Sequence, residues 1–128
     1  MICTKCNRDL PETEFNFRSK TSGKYRRECK DCNKLMQKMI YDRNVAIINE
    51  WKSQGCAKCG EKRVPLIDAH HVDSSTKEKD LCKYKINASV EKLQQELDKC
   101  IPFCANCHRY YHHLERTEGI TLKQYMGM

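Results

Sequence analysis

Four C-x-x-C pairs constrain this chain more than anything else in its sequence. Eight of the ten cysteines fall into them: Cys3/Cys6, Cys29/Cys32, Cys56/Cys59 and Cys104/Cys107. Two intervening residues let one tight turn aim both sulfurs at a single ion, and a tetrahedral zinc takes four such ligands. Four pairs therefore make two closed four-cysteine sites. A redox C-x-x-C sits in a βαβ context and does not occur four times in a short chain. Pairing in chain order is simplest: Cys3, Cys6, Cys29 and Cys32 for one zinc, and Cys56, Cys59, Cys104 and Cys107 for the other. Cys82 and Cys100 remain as thiols without an assigned role.

Composition agrees with metal as the main staple. The hydrophobic fraction of 39% over 128 residues already counts all ten cysteines. That is thin for an unaided core, because small domains bury proportionally less of their surface. No apolar run is long enough to cross a bilayer. The segment MICTKCNRDL lacks the apolar centre of a signal peptide, so the chain is expected to be intracellular and not secreted. In a reducing compartment, dense cysteine reads as bound metal rather than disulfides.

The spacing implies three segments: an N-terminal four-cysteine module over 1–34, a connecting helix over 35–54, and a second module over 55–128. In the connector Met36, Ile40, Ile47 and Trp51 recur at helical spacing, with Leu35, Met39 and Ile48 beside them. Packing against the zinc modules is the simple account of that stripe, and a dimer interface is the other. Gly55 is the expected stop.

The net charge of +7 is unevenly spread. Between Arg18 and Lys38 lie eight basic residues (Arg18, Lys20, Lys24, Arg26, Arg27, Lys30, Lys34, Lys38) against Glu28 and Asp31. Lysine and arginine clustered beside a zinc knuckle suit phosphate contacts and counterion release, so double-stranded DNA is the expected partner. Phe15, Phe17 and Tyr25 read as apolar filling of the zinc ribbon in preference to stacking partners for bases.

Histidines carry the chemistry of the second half. His70 and His71 are adjacent in PLIDAHHVD, while His108 and His112 stand four apart after the last cysteine pair. Positions i and i+4 share a helix face, so both can reach one ion. Three histidines from two elements leave coordination positions open for water and a phosphate oxygen, as a catalytic metal requires. Successive strand residues point to opposite faces, so one of the adjacent pair can bind metal while its neighbour faces a water.

The joint pattern C56-A-K-C59-G, D68-A-H-H-V and C100-I-P-F-C104-A-N-C107-H108-x3-H112 resembles the HNH endonucleases, among the ββα-metal (His-Me finger) nucleases. It is closest to the branch in which two cysteine knuckles hold a structural zinc around the active site. The N-terminal segment C3-T-K-C6, F15, G23, C29-K-D-C32-N resembles the small zinc-binding piece that precedes phage-type endonuclease domains. The resemblance implies His70, His108 and His112 as ligands of a catalytic divalent ion, or phosphate contacts, and His71 as the general base. The eight paired cysteines match structural zinc ligands, and Arg109 is placed to hold a phosphate. The family's middle Asn is replaced by Lys99, so another group must orient the catalytic histidine; Asp98, Asn87 and Asn106 are candidates. Asp68, on the strand face of His70, is placed to partner a ligand histidine or simply to face solvent.

The expected activity is one-metal phosphodiester hydrolysis, by nicking or double-strand cleavage, that leaves a 5′ phosphate. Mg2+ or Mn2+ is the expected ion, with Zn2+ and Ni2+ also suited to histidine ligands. A non-catalytic zinc-based DNA-binding adaptor is the alternative, and it leaves the histidine clusters unexplained. A zinc deaminase is not expected, because the single H-x-E, at His113-Leu114-Glu115, follows every cysteine pair and no P-C-x-x-C occurs. The expected fold class is a small metal-stabilised α+β chain: a zinc ribbon, a helix and a ββα-metal core. Strands are expected over 64–73 and 100–103, and the core helix over 105–115. A further helix should follow Ser89, a short one should follow Thr121, and Lys77 to Lys85 should form a polar loop.

Overall fold

The computed structural model describes residues 1–19, 21–73 and 81–128. It is a small α+β chain whose described residues form two short antiparallel sheets and five α-helices. The chain divides into two compact units, Met1–Tyr41 and Asp42–Met128. Among the described residues no helix is long and apolar enough to cross a membrane.

In the first unit, strand β1 (Phe15–Phe17) pairs with β2 (Tyr25–Cys29), placing Phe15 opposite Cys29 and Phe17 opposite Tyr25. Among its described residues the buried centre is only Cys3, Phe15 and Cys29, with Leu10 and Tyr25 packed against it. So small a cluster cannot stabilise a fold by apolar burial alone. The sulfurs occupy the place a core would take.

Helix α1 (Lys30–Lys52) begins where β2 ends. It starts well before the apolar stripe because Cys29 closes the strand and Cys32 lies in the first helical turn. Its sequence holds neither glycine nor proline, and it stops ahead of Gly55, which takes φ +87. The stripe is only partly used. Ile48 is buried and Ile47 and Trp51 pack beside it, whereas Leu35, Met36 and Met39 remain exposed. The expectation that the whole stripe packs inward is thus corrected for its N-terminal half.

In the second unit, a single 3-10 turn (Val64–Leu66) leads into β3 (Ile67–His71), which pairs with β4 (Cys100–Cys104). The register sets Asp68 opposite Phe103 and His71 opposite Cys100. Pro65 shortens the expected strand at its start, since the 3-10 turn takes those residues. Between the strands lie α2 (Leu81–Asn87) and α3 (Val90–Asp98). The expected polar loop is therefore corrected: residues 77–80 lie outside the described ones, and from Leu81 the chain is helical. Tyr84 supplies the reason, since it is 1% exposed and joins Ile48, Ala88, Leu93 and Leu97 in one cluster. Ser89 caps α3, its hydroxyl accepting from the Lys92 amide at 3.2 Å.

Helix α4 (Ala105–Glu118) follows β4 directly and ends at Gly119, whose φ of +66 suits a left-handed cap. Thr121 then starts α5 (Leu122–Met126) with a full capping box to Gln124. Ile67, Phe103, Tyr111, Leu114 and Tyr125 form the core that holds β3, β4, α4 and α5 together.

Candidate metal centres

The paired cysteines gather as their spacing requires. Cys3, Cys6, Cys29 and Cys32 form one cluster, and Cys56, Cys59, Cys104 and Cys107 the other, each with its sulfurs within 4.8 Å of one another. Sulfurs bound to one zinc at about 2.3 Å in a tetrahedron lie about 3.8 Å apart. The separations match: 3.8 Å for Cys3 to Cys32, 3.9 Å for Cys6 to Cys29 and 3.6 Å for Cys59 to Cys104.

Both sites are built alike. The first pair of each lies in a turn closed by a left-handed residue, Asn7 at φ +61 and Gly60 at φ +82. The amides of those residues donate back to the Cys3 and Cys56 carbonyls at 2.8 and 3.0 Å. Only glycine and asparagine enter that conformation readily. The second pair of each begins at the end of a strand and continues into the first turn of a helix. At the second site Cys104 is itself the N-cap of α4, its sulfur accepting from the Cys107 amide at 3.4 Å.

The donor chemistry asks for a cation. Amides of Lys5, Cys6 and Cys29 all donate to the Cys3 sulfur. These bonds, that from Cys6 foremost, lower its thiol to about 6. Cys32 is instead pushed up to about 12, first by its hydrogen bond with Cys29. The second site repeats the split. Burial would raise Cys56, but amides of Cys104, Cys59 and Lys58 bring it down to about 6, while burial and its cysteine neighbours push Cys107 up to about 12. Sulfurs so close cannot all ionise unaided, and a dication removes that conflict. These four-cysteine sets fit structural zinc. At the first site Arg8 adds charge of its own, its Nε donating to Cys6 at 3.2 Å and its Nη2 reaching Cys29 and Asp31.

A third group of donors lies between β3 and α4. His70 Nδ1 stands 3.2 Å from His108 Nε2, which stands 3.1 Å from His112 Nε2. Nitrogens on one ion at about 2.1 Å lie about 3.0 to 3.4 Å apart, depending on geometry, so the three fit a shared ion. Burial, then repulsion from His108 and His112, lowers His70 to about 4, which keeps it neutral as a ligand must be. Two carboxylates set the other rings. Asp68 Oδ2 lies 3.1 Å from His108 Nδ1, and Glu115 Oε1 lies 3.3 Å from His112 Nδ1. With a proton on each Nδ1, both Nε2 lone pairs face the shared point. Asp68 combines the two expectations, partnering His108 while its side chain stays about half exposed to solvent.

His71 turns the other way. Its Nε2 lies 2.6 Å from Glu96 Oε1, on α3. Glu96 is 1% exposed and also accepts from Tyr84 Oη at 3.3 Å and Lys99 Nζ at 3.2 Å. Burial works against its charge, but the bonds from His71 and Lys99 outweigh it and keep the carboxyl below its usual range. Glu96 therefore orients His71, which corrects the expectation that Asp98, Asn87 or Asn106 would do so. Only its placement is legible in the sequence: Glu96 stands three residues after Leu93 on the inward face of α3, which does not say what it meets. Glu115, three residues after His112, and Arg8, two after Cys6, carried similar signals and were also missed.

A cleft of about 680 Å3 opens beside the histidines, lined by Asp68, Asn106, His108, Arg109, His112 and Arg116 among others. Arg109 thus stands where a phosphate could reach it, and Arg116 adds a second guanidinium. In the first unit Arg18, Lys24, Arg26, Arg27, Lys30, Lys34 and Lys38 are exposed, and Lys20 lies outside the described residues. Phe15 is filling as expected, but Phe17 is not, being 52% exposed. Cys100 is a buried thiol donating to the Glu96 carbonyl at 3.4 Å. The Cys82 side chain lies outside the described residues.

No protein-family model matches the chain, and neither a curated protein nor a solved structure matches it. The functional reading rests on the geometry of the side chains.

Proposed function

We propose that the chain is a metal-dependent DNA endonuclease of the HNH type, with a ββα-metal core formed by β3, β4 and α4. The observation that carries this reading is the convergence of His70, His108 and His112 nitrogens beside a solvent-open cleft that two arginines line. A site with three protein ligands and room for more suits reaction rather than scaffolding. His70, His108 and His112 would hold a divalent ion there, which supplies Lewis-acid stabilisation of charge on the phosphate and the leaving 3′ oxygen.

The chain's own groups do the rest. Arg109 and Arg116 hold the phosphodiester against the cleft wall by charge-assisted hydrogen bonds. Glu96 takes the His71 Nε2 proton into a hydrogen bond, which leaves the Nδ1 lone pair to accept a proton from the attacking water. That water's oxygen bonds to phosphorus as the bond to the 3′ oxygen breaks, and the leaving oxygen takes a proton from solvent water, giving a 5′ phosphate and a 3′ hydroxyl. Exposed basic residues of the first unit hold the duplex through its phosphates.

Plasmid nicking with Mg2+ or Mn2+, with and without a chelator, tests the reading. His71→Ala should slow cleavage by at least about a hundredfold, since general bases contribute that much or more, while zinc content and DNA affinity stay unchanged. Full activity in that variant overturns the mechanism. A wild-type protein that binds duplex DNA yet nicks it with neither ion favours the adaptor instead.

A further inference from the structure

We infer that the first unit carries a stacking face for an unpaired DNA base, built on Phe17 and Tyr25. The two rings lie parallel across β1 and β2, with centroids 4.7 Å apart and planes within 21°. Tyr25 is half-buried beneath, whereas Phe17 leaves 52% of its surface in water. An apolar ring left half exposed on so small a sheet forgoes much of the stabilisation that full burial would bring. It does offer a flat aromatic surface already backed by a second ring.

Charge lies beside that surface, reached through Tyr25. A concavity of about 480 Å3 is lined by Tyr25 together with Arg18, Arg26, Arg27 and Glu28, three arginines to one acidic residue. Aromatic rings interleaved with arginines match a polymer that presents planar bases and phosphates together. An acidic peptide would satisfy the arginines but not the stacked rings. Bases of an intact duplex already stack on each other and must be unstacked to admit a ring, whereas an unpaired base offers the Phe17 ring a free face.

The face is held in place before any ligand arrives. The Arg18 amide donates to the Lys24 carbonyl at 2.7 Å, closing the strand pair. The Thr4 amide donates to the Arg27 carbonyl at 3.1 Å, and β2 ends on Cys29 of the first cysteine cluster. Little ordering cost remains to be met on binding. The inference rests on the nuclease reading only for the choice of DNA as the polymer.

Fluorescence anisotropy of the full chain, with no divalent ion added, provides the test. The probes are labelled oligothymidylate of about a dozen nucleotides, a duplex of equal length, and a poly-glutamate competitor. Phe17→Ala and Phe17→Leu should each weaken oligothymidylate binding about tenfold, as the loss of one stacked base would. Phe17→Trp should match or exceed the wild type, and duplex affinity should hold in all three. Zinc content and circular dichroism report whether each variant folds. Unchanged oligothymidylate affinity in Phe17→Ala overturns the inference, as does an equal loss towards duplex or displacement by poly-glutamate at matched charge. A protein that shows the expected pattern yet nicks no plasmid keeps the stacking face and loses the nuclease reading.

Discussion

Glu96 shows how much one buried side chain decides. It is 1% exposed, and it answers His71, Tyr84 and Lys99 at once. A carboxylate so placed must be fully partnered, because an unpaired buried charge is costly. Removing it takes a hydrogen-bond partner from three polar groups at once. Glu96→Ala should cost about 3 kcal/mol or more in urea unfolding. Glu96→Gln, which keeps an acceptor for His71, should cost about 1 to 2 kcal/mol. An alanine variant no less stable than the glutamine one would show that the network is not held through this residue. Lys99, where the resemblance leads one to look for an asparagine, is one of the groups that hold this carboxylate.

Each zinc site repeats one element plan: a turn closed by a left-handed residue, then a strand whose last cysteine starts a helix. Ligand geometry and helix initiation are thereby one event. The amides that start α4 point at a sulfur, and the same helix then carries His108, Arg109 and His112 to the cleft. Losing Cys104 should therefore do more than lose a ligand. Cys104→Ser keeps a cap but gives up a structural metal worth about 10 kcal/mol or more of folding free energy, about the whole stability of a domain this size. It should release one zinc per chain and unfold the second unit, as read by elemental analysis and near-ultraviolet circular dichroism. A folded variant with full zinc content would contradict this assignment. The i, i+4 spacing of His108 and His112 made this helix face legible in advance. The C-x-x-C spacing likewise made the clusters legible, because both are local geometry that the backbone imposes.

At the scale of the molecule, sulfur clusters stand where a larger protein would have apolar cores. Among its described residues the first unit buries only Cys3, Phe15 and Cys29 in its core, and Cys56 and Cys104 sit within the main core of the second. Two tightly held zinc ions per chain are expected from the two four-cysteine clusters. A mild chelator should remove only an ion at the histidine cluster, with no change in helicity, while a strong one should remove the zincs and unfold both units. Retained structure after complete zinc loss would mean that apolar burial suffices. The sequence by itself determined the two cysteine clusters, the small α+β class and the face shared by His108 and His112. It did so because ligand spacing and helical period are local and leave few alternatives. Only the tertiary structure decided that Asp68 meets His108, that Glu96 meets His71, that Phe17 stays exposed and that α2 replaces a loop. Those outcomes depend on which segments pack together across tens of residues, and no local pattern encodes such a meeting.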